Sequence, residues 1–168
     1  MARCLIIGCG CRGLALTRAL RSAGHAVRAT TRDPGRRGEI EAAGAEVHVG
    51  DPDRVATLAP ALDHVGVACL LLGSAAGTEQ QLTALHSTRL DMLLERMLDT
   101  TIRGIVYEAA GSVPAEILNT GTERVRWACE RSLIPYVLLT ADPGDHTRWT
   151  AAAAEAVQRA LLAPDHRL

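Results

Sequence analysis

The feature that most constrains the fold of this chain is a set of glycines at the junction between an apolar run and a helical pattern. Residues 3–7 (RCLII) predict a buried strand, and residues 12–23 have the spacing of an amphipathic helix. Gly8, Gly10 and Gly13 span the junction in a G-x-G-x-x-G spacing. After a strand and before a helix, this spacing predicts a tight turn, close backbone approach to a pyrophosphate and close helix packing.

Short apolar runs alternate with helical patterns along the rest of the chain. This alternation predicts a parallel sheet with helices on both faces, and the continuously apolar run at 65–72 suits a strand buried on both sides. We predict an α/β, doubly wound Rossmann fold with a six-stranded parallel sheet of order 3-2-1-4-5-6. It would form a single NAD(P)-binding domain over residues 1–168, without a separate substrate domain. The predicted strands are 3–7, 26–30, 45–49, 65–72, 104–109 and 135–140, and the predicted helical segments are 12–23, 36–43, 53–61, 79–100, 115–132 and 147–162.

Composition excludes several classes of function. All 18 basic residues are arginines, so a Schiff base, a Walker lysine or a Tyr/Lys pair is ruled out. Aromatic residues make up 2% of the chain and the formal net charge is −1, which argues against a nucleic-acid partner. No apolar run reaches the ~18 residues of a transmembrane helix, and the odd count of cysteines suggests reduced thiols. We expect a cytoplasmic protein with no membrane partner.

The residues after the second and third predicted strands bear on the choice of dinucleotide. Arg32 follows Thr31 at the end of the second strand, and its planar guanidinium suits the 2′-phosphate of NADP. Asp33, about 20 residues after Gly13, could instead indicate NAD; we favour NADP because Arg32 lies nearer the strand end. Asp51 either accepts a bond from the adenine amino group or is a turn residue. The predicted cofactor-binding residues are Gly8, Cys9, Gly10, Cys11, Arg12, Gly13, Thr31, Arg32, Asp33, Asp51, Leu72, Gly73 and Ser74.

Cys9 and Cys11 flank the central glycine of the loop as a C-x-C pair. Structural zinc sites generally use two ligand pairs, and the sequence has no second pair, so we predict no metal site. The interpretation we favour is that both cysteines are small residues tolerated in a glycine loop. The alternative is that the helix N-terminus activates Cys11 as a thiolate.

Four stretches resemble atypical short-chain dehydrogenases/reductases of the NmrA-like or NAD-dependent epimerase type. They are IIGCGCRGLALTRALRSAGHAVRATTRDP, EVHVGDPDR, GIVYEAAGSV and ERSLIPYVLLTADPG, in the order usual for that family. The resemblance implies an NAD(P)-dependent oxidoreductase or epimerase-like protein. It also implies a homodimer formed through paired helices, for which the leucines of 79–100 and the helix at 115–132 are candidates. Burial against the chain's own sheet would explain most of the same leucines.

The chain departs from the family where the chemistry is expected. Active members carry serine or threonine just after the fifth strand and then Tyr-x-x-x-Lys, whereas here Glu108 is followed by two alanines and lysine is absent. Hydride transfer would therefore need another proton source: Ser112, His146, Glu108 or water. Tyr107 is predicted to be a strand residue that faces a helix. A minimal or degenerate NADPH-dependent oxidoreductase of unknown substrate is one hypothesis, and a non-catalytic NADP(H)-sensing module is the other.

Overall fold

The structure, a computed structural model, describes residues 1–164, which contain six strands and six α-helices. The strands are β1 (Arg3–Ile7), β2 (Ala26–Thr31), β3 (Glu46–Val49), β4 (Val67–Leu70), β5 (Gly104–Glu108) and β6 (Tyr136–Leu139). The helices are α1 (Cys11–Ser22), α2 (Arg37–Ala42), α3 (Glu79–Leu85), α4 (Thr88–Leu98), α5 (Ala115–Ser132) and α6 (His146–Leu162). The strands form one parallel sheet in the order β3-β2-β1-β4-β5-β6, which confirms the predicted fold class and strand order.

Two aliphatic cores lie on opposite faces of the sheet. Along β1 the side chains alternate, so that Leu5 and Ile7 enter one core while Cys4 and Ile6 enter the other. The first core is covered by α3, α4, α5 and the 3₁₀ segment Val55–Leu62, and the second by α1, α2 and α6. Because both faces of the central strands are buried, their sequences are continuously apolar rather than alternating.

The predicted helix over residues 79–100 is wrong as a single element, since it is divided between α3 and α4 at a buried histidine. The ring of His86 is fully buried. Its Nε2 lies 3.1 Å from the carbonyl oxygen of Leu72, which can only accept, so Nε2 donates there and Nδ1 accepts from the Tyr107 hydroxyl at 2.6 Å. Burial lowers the pKa of His86 and favours this neutral form. The break therefore ties the α3–α4 turn to the end of β4.

The other predicted segments are present in the structure with shifted ends, and one of them differs in helix type. The segment predicted at 36–43 begins as a 3₁₀ turn at Pro34–Arg36 before α2, and the segment at 53–61 is wholly 3₁₀ helix. The strand predicted at 65–72 is regular over four residues, β4. Among the helices of the described part of the chain, none is both long and apolar enough to cross a bilayer.

Candidate functional site

A cavity of about 590 Å³ opens at the carboxyl ends of β1, β2 and β4. Open parallel sheets bind ligands at this edge, where the connections leave the sheet in opposite directions, and the volume falls within the usual range for small-molecule sites. Helix α1 starts at its wall with no acidic residue in the first turn, so its free N–H groups favour an anion. The lining residues are Gly8, Cys9, Gly10, Cys11, Arg12, Gly13, Thr30, Thr31, Arg32, Asp33, Arg36, Leu71, Ser74, Ala75 and His146.

The three glycines of the loop face three different surroundings. Gly8 has φ +89°, and a Cβ there would lie 2.3 Å from the carbonyl oxygen of Leu71. Gly10 precedes α1, and a Cβ there would meet no atom within 4 Å. At Gly13 a Cβ would lie 3.1 Å from the Cys9 Sγ. The backbone at Gly10, beside the helix N-terminus, is therefore open. A side chain at this position would fill the space, which fits a pyrophosphate.

Arginine side chains lie at the end of the cavity next to β2. Arg32 is exposed and makes no ion pair with any residue in the described range 1–164. Arg36 is already engaged, since it pairs with Glu39 and donates to the carbonyl oxygen of Cys9. Asp33 accepts from the Gly35 N–H at 2.8 Å and caps the 3₁₀ turn. Arg32 is therefore the cation at this end that is not held by a carboxylate.

A smaller hollow of about 110 Å³ lies next to the cavity, with Arg32 and Ala75 in the walls of both. Its walls also include Asp53 and Leu72. Asp51 lines neither space, because its Oδ1 accepts from the Asp53 N–H at 2.9 Å and forms a turn. The turn alternative for Asp51 is thus what the structure shows, and the carboxylate beside the hollow belongs to a residue that sequence reasoning missed.

Most of the predicted cofactor residues line the main cavity, and three do not. Leu72 faces the smaller hollow, Asp51 forms its turn, and Gly73 lies behind the wall with its N–H donated to Glu108. After β4 the wall is formed by Leu71, Ser74 and Ala75, whereas the prediction was Leu72, Gly73 and Ser74. The residues that it missed are Thr30, Arg36, Leu71 and Ala75.

The three candidate proton donors, and Tyr107, which was predicted to face a helix, lie in different places. His146 is exposed at the start of α6 and lines the cavity. Ser112 is exposed and outside the cavity lining, with its N–H donated to the Ser74 hydroxyl at 3.2 Å. Tyr107 and Glu108 are fully buried, and burial raises the pKa of each. Tyr107 packs against α5, where a Cβ on Gly121 would lie 1.9 Å from its hydroxyl oxygen.

The two loop cysteines differ in exposure. Cys9 is buried, and burial raises the pKa of its thiol to about 11, which suits a packing residue rather than a nucleophile. Cys11 is exposed at the cavity wall. Within residues 1–164 the structure contains no group of three or more His, Cys, Asp or Glu side chains able to hold a metal ion.

Solved structures share this fold at low sequence identity. A short-chain dehydrogenase/reductase superfamily protein from Agrobacterium tumefaciens with bound NAD superposes with a TM-score of 0.67 at 20% identity, over 81% of this chain and 48% of that one. A Citrobacter triphenylmethane reductase complexed with NADP(H) gives 0.63 at 19% identity, over 82% and 48%. An NADPH-dependent quinone oxidoreductase from Escherichia coli gives 0.59 at 21% identity, over 82% and 46%. The chain thus spans about half the length of these proteins.

The family can be stated from the sequence itself. No curated protein matches the chain. A family model described as NAD(P)H-binding matches residues 9–159, which includes most of the glycine loop and every later strand. This match and the shared fold confirm the resemblance to atypical short-chain dehydrogenases/reductases, while the NmrA-like subgroup stays a prediction. The chain therefore belongs to the NAD(P)H-binding family of Rossmann-fold proteins.

Proposed function

We propose that this chain binds NADP(H) in the cavity in preference to NAD(H), with the 2′-phosphate on Arg32. The observation that carries the proposal is the exposed, unpaired guanidinium of Arg32 beside a glycine loop with open backbone at Gly10. A carboxylate selective for the NAD ribose would have to lie at the same strand end, where Asp33 lines the cavity with its Oδ1 already accepting from the Gly35 N–H. The N-terminus of α1 favours the pyrophosphate, and the hollow beside Asp53 and Leu72 suits the adenine ring.

We further propose a minimal reductase that works without the Tyr/Lys pair. Bound NADPH would supply the hydride, which is chemistry that belongs to the cofactor. His146 lines the cavity at the first residue of α6, and histidine is the side chain that enzymes use most often for proton transfer. We assign it the proton donor to the reduced acceptor, with Tyr107 excluded by burial. The cytoplasmic location stays a prediction from the sequence.

Calorimetric titration with NADPH, NADH and their oxidised forms tests the binding proposal. NADPH is expected to bind more tightly than NADH, and binding by none of the four at millimolar concentration would contradict the proposal. A turnover screen with aldehydes and quinones then separates a reductase from a sensor. Saturable NADPH oxidation that His146→Ala lowers supports the reductase, whereas tight binding without turnover supports the non-catalytic module.

Replacing Arg32 with alanine is expected to weaken NADPH binding about tenfold to a hundredfold, because a charge-assisted bond to the 2′-phosphate is lost. NADH affinity should change little, since NADH has no 2′-phosphate. Arg37→Ala is the matched control, because Arg37 is also exposed but outside the cavity lining and pairs with Glu41. Equal losses for NADPH and NADH would contradict the assignment of Arg32.

We also propose that the chain forms a homodimer through α4 and α5. Trp127 on α5 is 64% exposed beside a groove of about 730 Å³ between these helices. Asp91 on α4 and Arg124 on α5 already pair within the chain. Glu95 and Arg131 are therefore the groove charges that two-fold pairing would bring to an opposite charge. The expected result is a dimer by light scattering that Trp127→Glu dissociates. Leu162→Glu, at an exposed position outside the groove, should leave it intact; a monomeric wild-type protein would refute the proposal.

A further inference from the structure

A buried carboxylate at the end of β5 ties together four parts of the fold. Glu108 is fully buried, and its Oε1 accepts from the Gly73 N–H at 2.8 Å. Its Oε2 accepts from the Trp149 indole N–H at 3.0 Å and from the Arg12 guanidinium at 3.3 Å. We call these residues the Glu108 cluster. Burying a carboxylate is costly unless it is paired and hydrogen-bonded, and here each donor comes from a different element: the loop after β4, α6 and α1.

The Glu108 carboxylate is closely packed by its neighbours. A Cβ on Gly73 would lie 2.4 Å from the carbonyl oxygen of Ala110 and 2.8 Å from the Glu108 Cγ. The Trp149 ring is fully buried, and the Arg12 guanidinium carbon lies 5.3 Å from its ring centroid, within cation–π distance. The salt bridge to Glu108 and the stacking on Trp149 therefore fix the direction of the Arg12 side chain.

Arg12 also belongs to the wall of the cavity. It lies in the first turn of α1 and 23% of its side chain remains exposed. Its Nη2 donates to Glu108 and its Nε is buried without a hydrogen-bond partner in the described part of the chain, so the donors left for a ligand are those at the exposed end of the guanidinium. An arginine has five N–H donors in a planar fork that suits phosphate oxygens.

The sheet order places this guanidinium far from Arg32. Arg32 follows β2 and Arg12 reaches to the end of β5, and these strands are separated by β1 and β4. Three strand spacings correspond to about 14 Å. If the adenosine 2′-phosphate lies on Arg32, the opposite half of the dinucleotide extends over β4 toward Arg12.

We propose that Arg12 binds the nicotinamide-side phosphate of the dinucleotide and that Glu108 and Trp149 are its positioning residues. The proposal rests on the proposed function, because it uses the same cavity and the same orientation of the ligand. The two partners orient the guanidinium before the ligand arrives, so less side-chain entropy is lost on binding. The buried carboxylate at the last residue of β5, directly before the alanines that stand where relatives are expected to carry hydroxyls, thereby acts in cofactor binding.

Calorimetry on the full chain with NADPH and with adenosine 2′-monophosphate tests the role of Arg12. Arg12→Gln is expected to weaken NADPH binding about tenfold or more and to leave adenosine 2′-monophosphate binding unchanged, because that probe lacks the nicotinamide half. Arg18→Gln is the matched control, since Arg18 is exposed on α1 outside the cavity lining, and it should affect neither ligand. Equal losses for both ligands, or no loss, would overturn the proposal.

A double-mutant cycle tests the positioning role of Glu108. Glu108→Gln replaces one acceptor oxygen with a donor that opposes the N–H groups of Arg12 and Trp149, so Arg12 loses its fixed direction. NADPH binding should weaken by less than in Arg12→Gln, and Glu108→Gln should add nothing in the Arg12→Gln background. A gain in affinity, or the same loss in both backgrounds, would show that Glu108 does not position Arg12.

Arg12→Gln could fail to fold because it leaves a buried carboxylate unpaired, so two further measurements keep the proposal testable. Arg12→Lys keeps the charge but loses the planar fork of N–H donors and should give an intermediate NADPH affinity.

The second measurement is tryptophan fluorescence. In a Trp127→Phe background, where Trp149 is the remaining tryptophan, NADP⁺ should change the tryptophan emission. No emission change, or unaltered affinity in Arg12→Lys, would contradict the contact. If the wild-type protein binds neither NADPH nor adenosine 2′-monophosphate, both the proposed function and the Arg12 proposal fail. If it binds both ligands and substitution of Arg12 changes neither affinity, only the Arg12 proposal fails.

Discussion

Gly10→Ala is expected to lower NADPH affinity by about tenfold to a hundredfold while leaving the protein folded. A methyl group at Gly10 would stand in open space at the cavity wall, where the backbone N–H groups at the start of α1 are expected to approach the pyrophosphate. The backbone at Gly10, φ −88° and ψ −158°, is accessible to alanine, so the substitution introduces no strain. The loss of one N-cap glycine should change the free energy of unfolding by less than about 1 kcal/mol.

Gly38→Ala is the matched control for this prediction. A Cβ at Gly38 also meets no atom within 4 Å, but Gly38 lies in α2 outside the cavity lining. Calorimetry should show unchanged NADPH affinity in Gly38→Ala and strongly reduced affinity in Gly10→Ala, with both melting temperatures close to the wild-type value. If Gly10→Ala binds NADPH normally, the pyrophosphate does not approach this turn.

The opposite result is expected for Gly8→Ala, which should destabilise the fold itself. Gly8 combines φ +89° with a position where a Cβ would lie 2.3 Å from the Leu71 carbonyl oxygen, a backbone atom at the end of β4. The left-handed conformation and the displaced backbone together should cost about 3 kcal/mol of unfolding free energy. Thermal denaturation should then show a melting temperature lower by roughly 10 °C.

Gly24→Ala separates the two causes of this destabilisation. Gly24 has the same φ of +89° as Gly8, but a Cβ there meets nothing within 4 Å. Its substitution should cost about 1 kcal/mol, the conformational part alone. Equal destabilisation of the two variants would mean that the approach of β1 to the end of β4 does not constrain Gly8.

The comparison of these glycines shows how far the sequence could predict the site. The G-x-G-x-x-G spacing after a strand predicted a dinucleotide loop, because each glycine in such a turn has a recurrent steric reason. The spacing could not say which glycine faces open space and which faces the neighbouring strand. That distinction depends on β4, which is more than 50 residues away along the chain and adjacent to β1 only in the folded sheet.

The same limit explains why the sequence pattern does not predict the helix break at His86. Leucines recur at helical spacing through residues 79–100, so the pattern predicts one helix. The break follows from long-range hydrogen bonds of a buried imidazole to Tyr107 and the Leu72 carbonyl, neither of which is visible in local periodicity. Likewise the sequence pointed to Asp51 and not to Asp53, and only the turn between them decides which carboxylate borders the hollow.

The sequence by itself determined the fold class and the glycine loop, because hydrophobic periodicity and turn chemistry are local properties of the chain, and the predicted strand order followed from the Rossmann pattern that they indicate. It also determined that no lysine-dependent mechanism is available. Only the tertiary structure decided the surroundings of Glu108, which the sequence presents as a carboxylate followed by two alanines where hydroxyls are expected. In the fold it is fully buried among donors from α1, α6 and the loop after β4, and these meet because parallel strands end at one edge of the sheet.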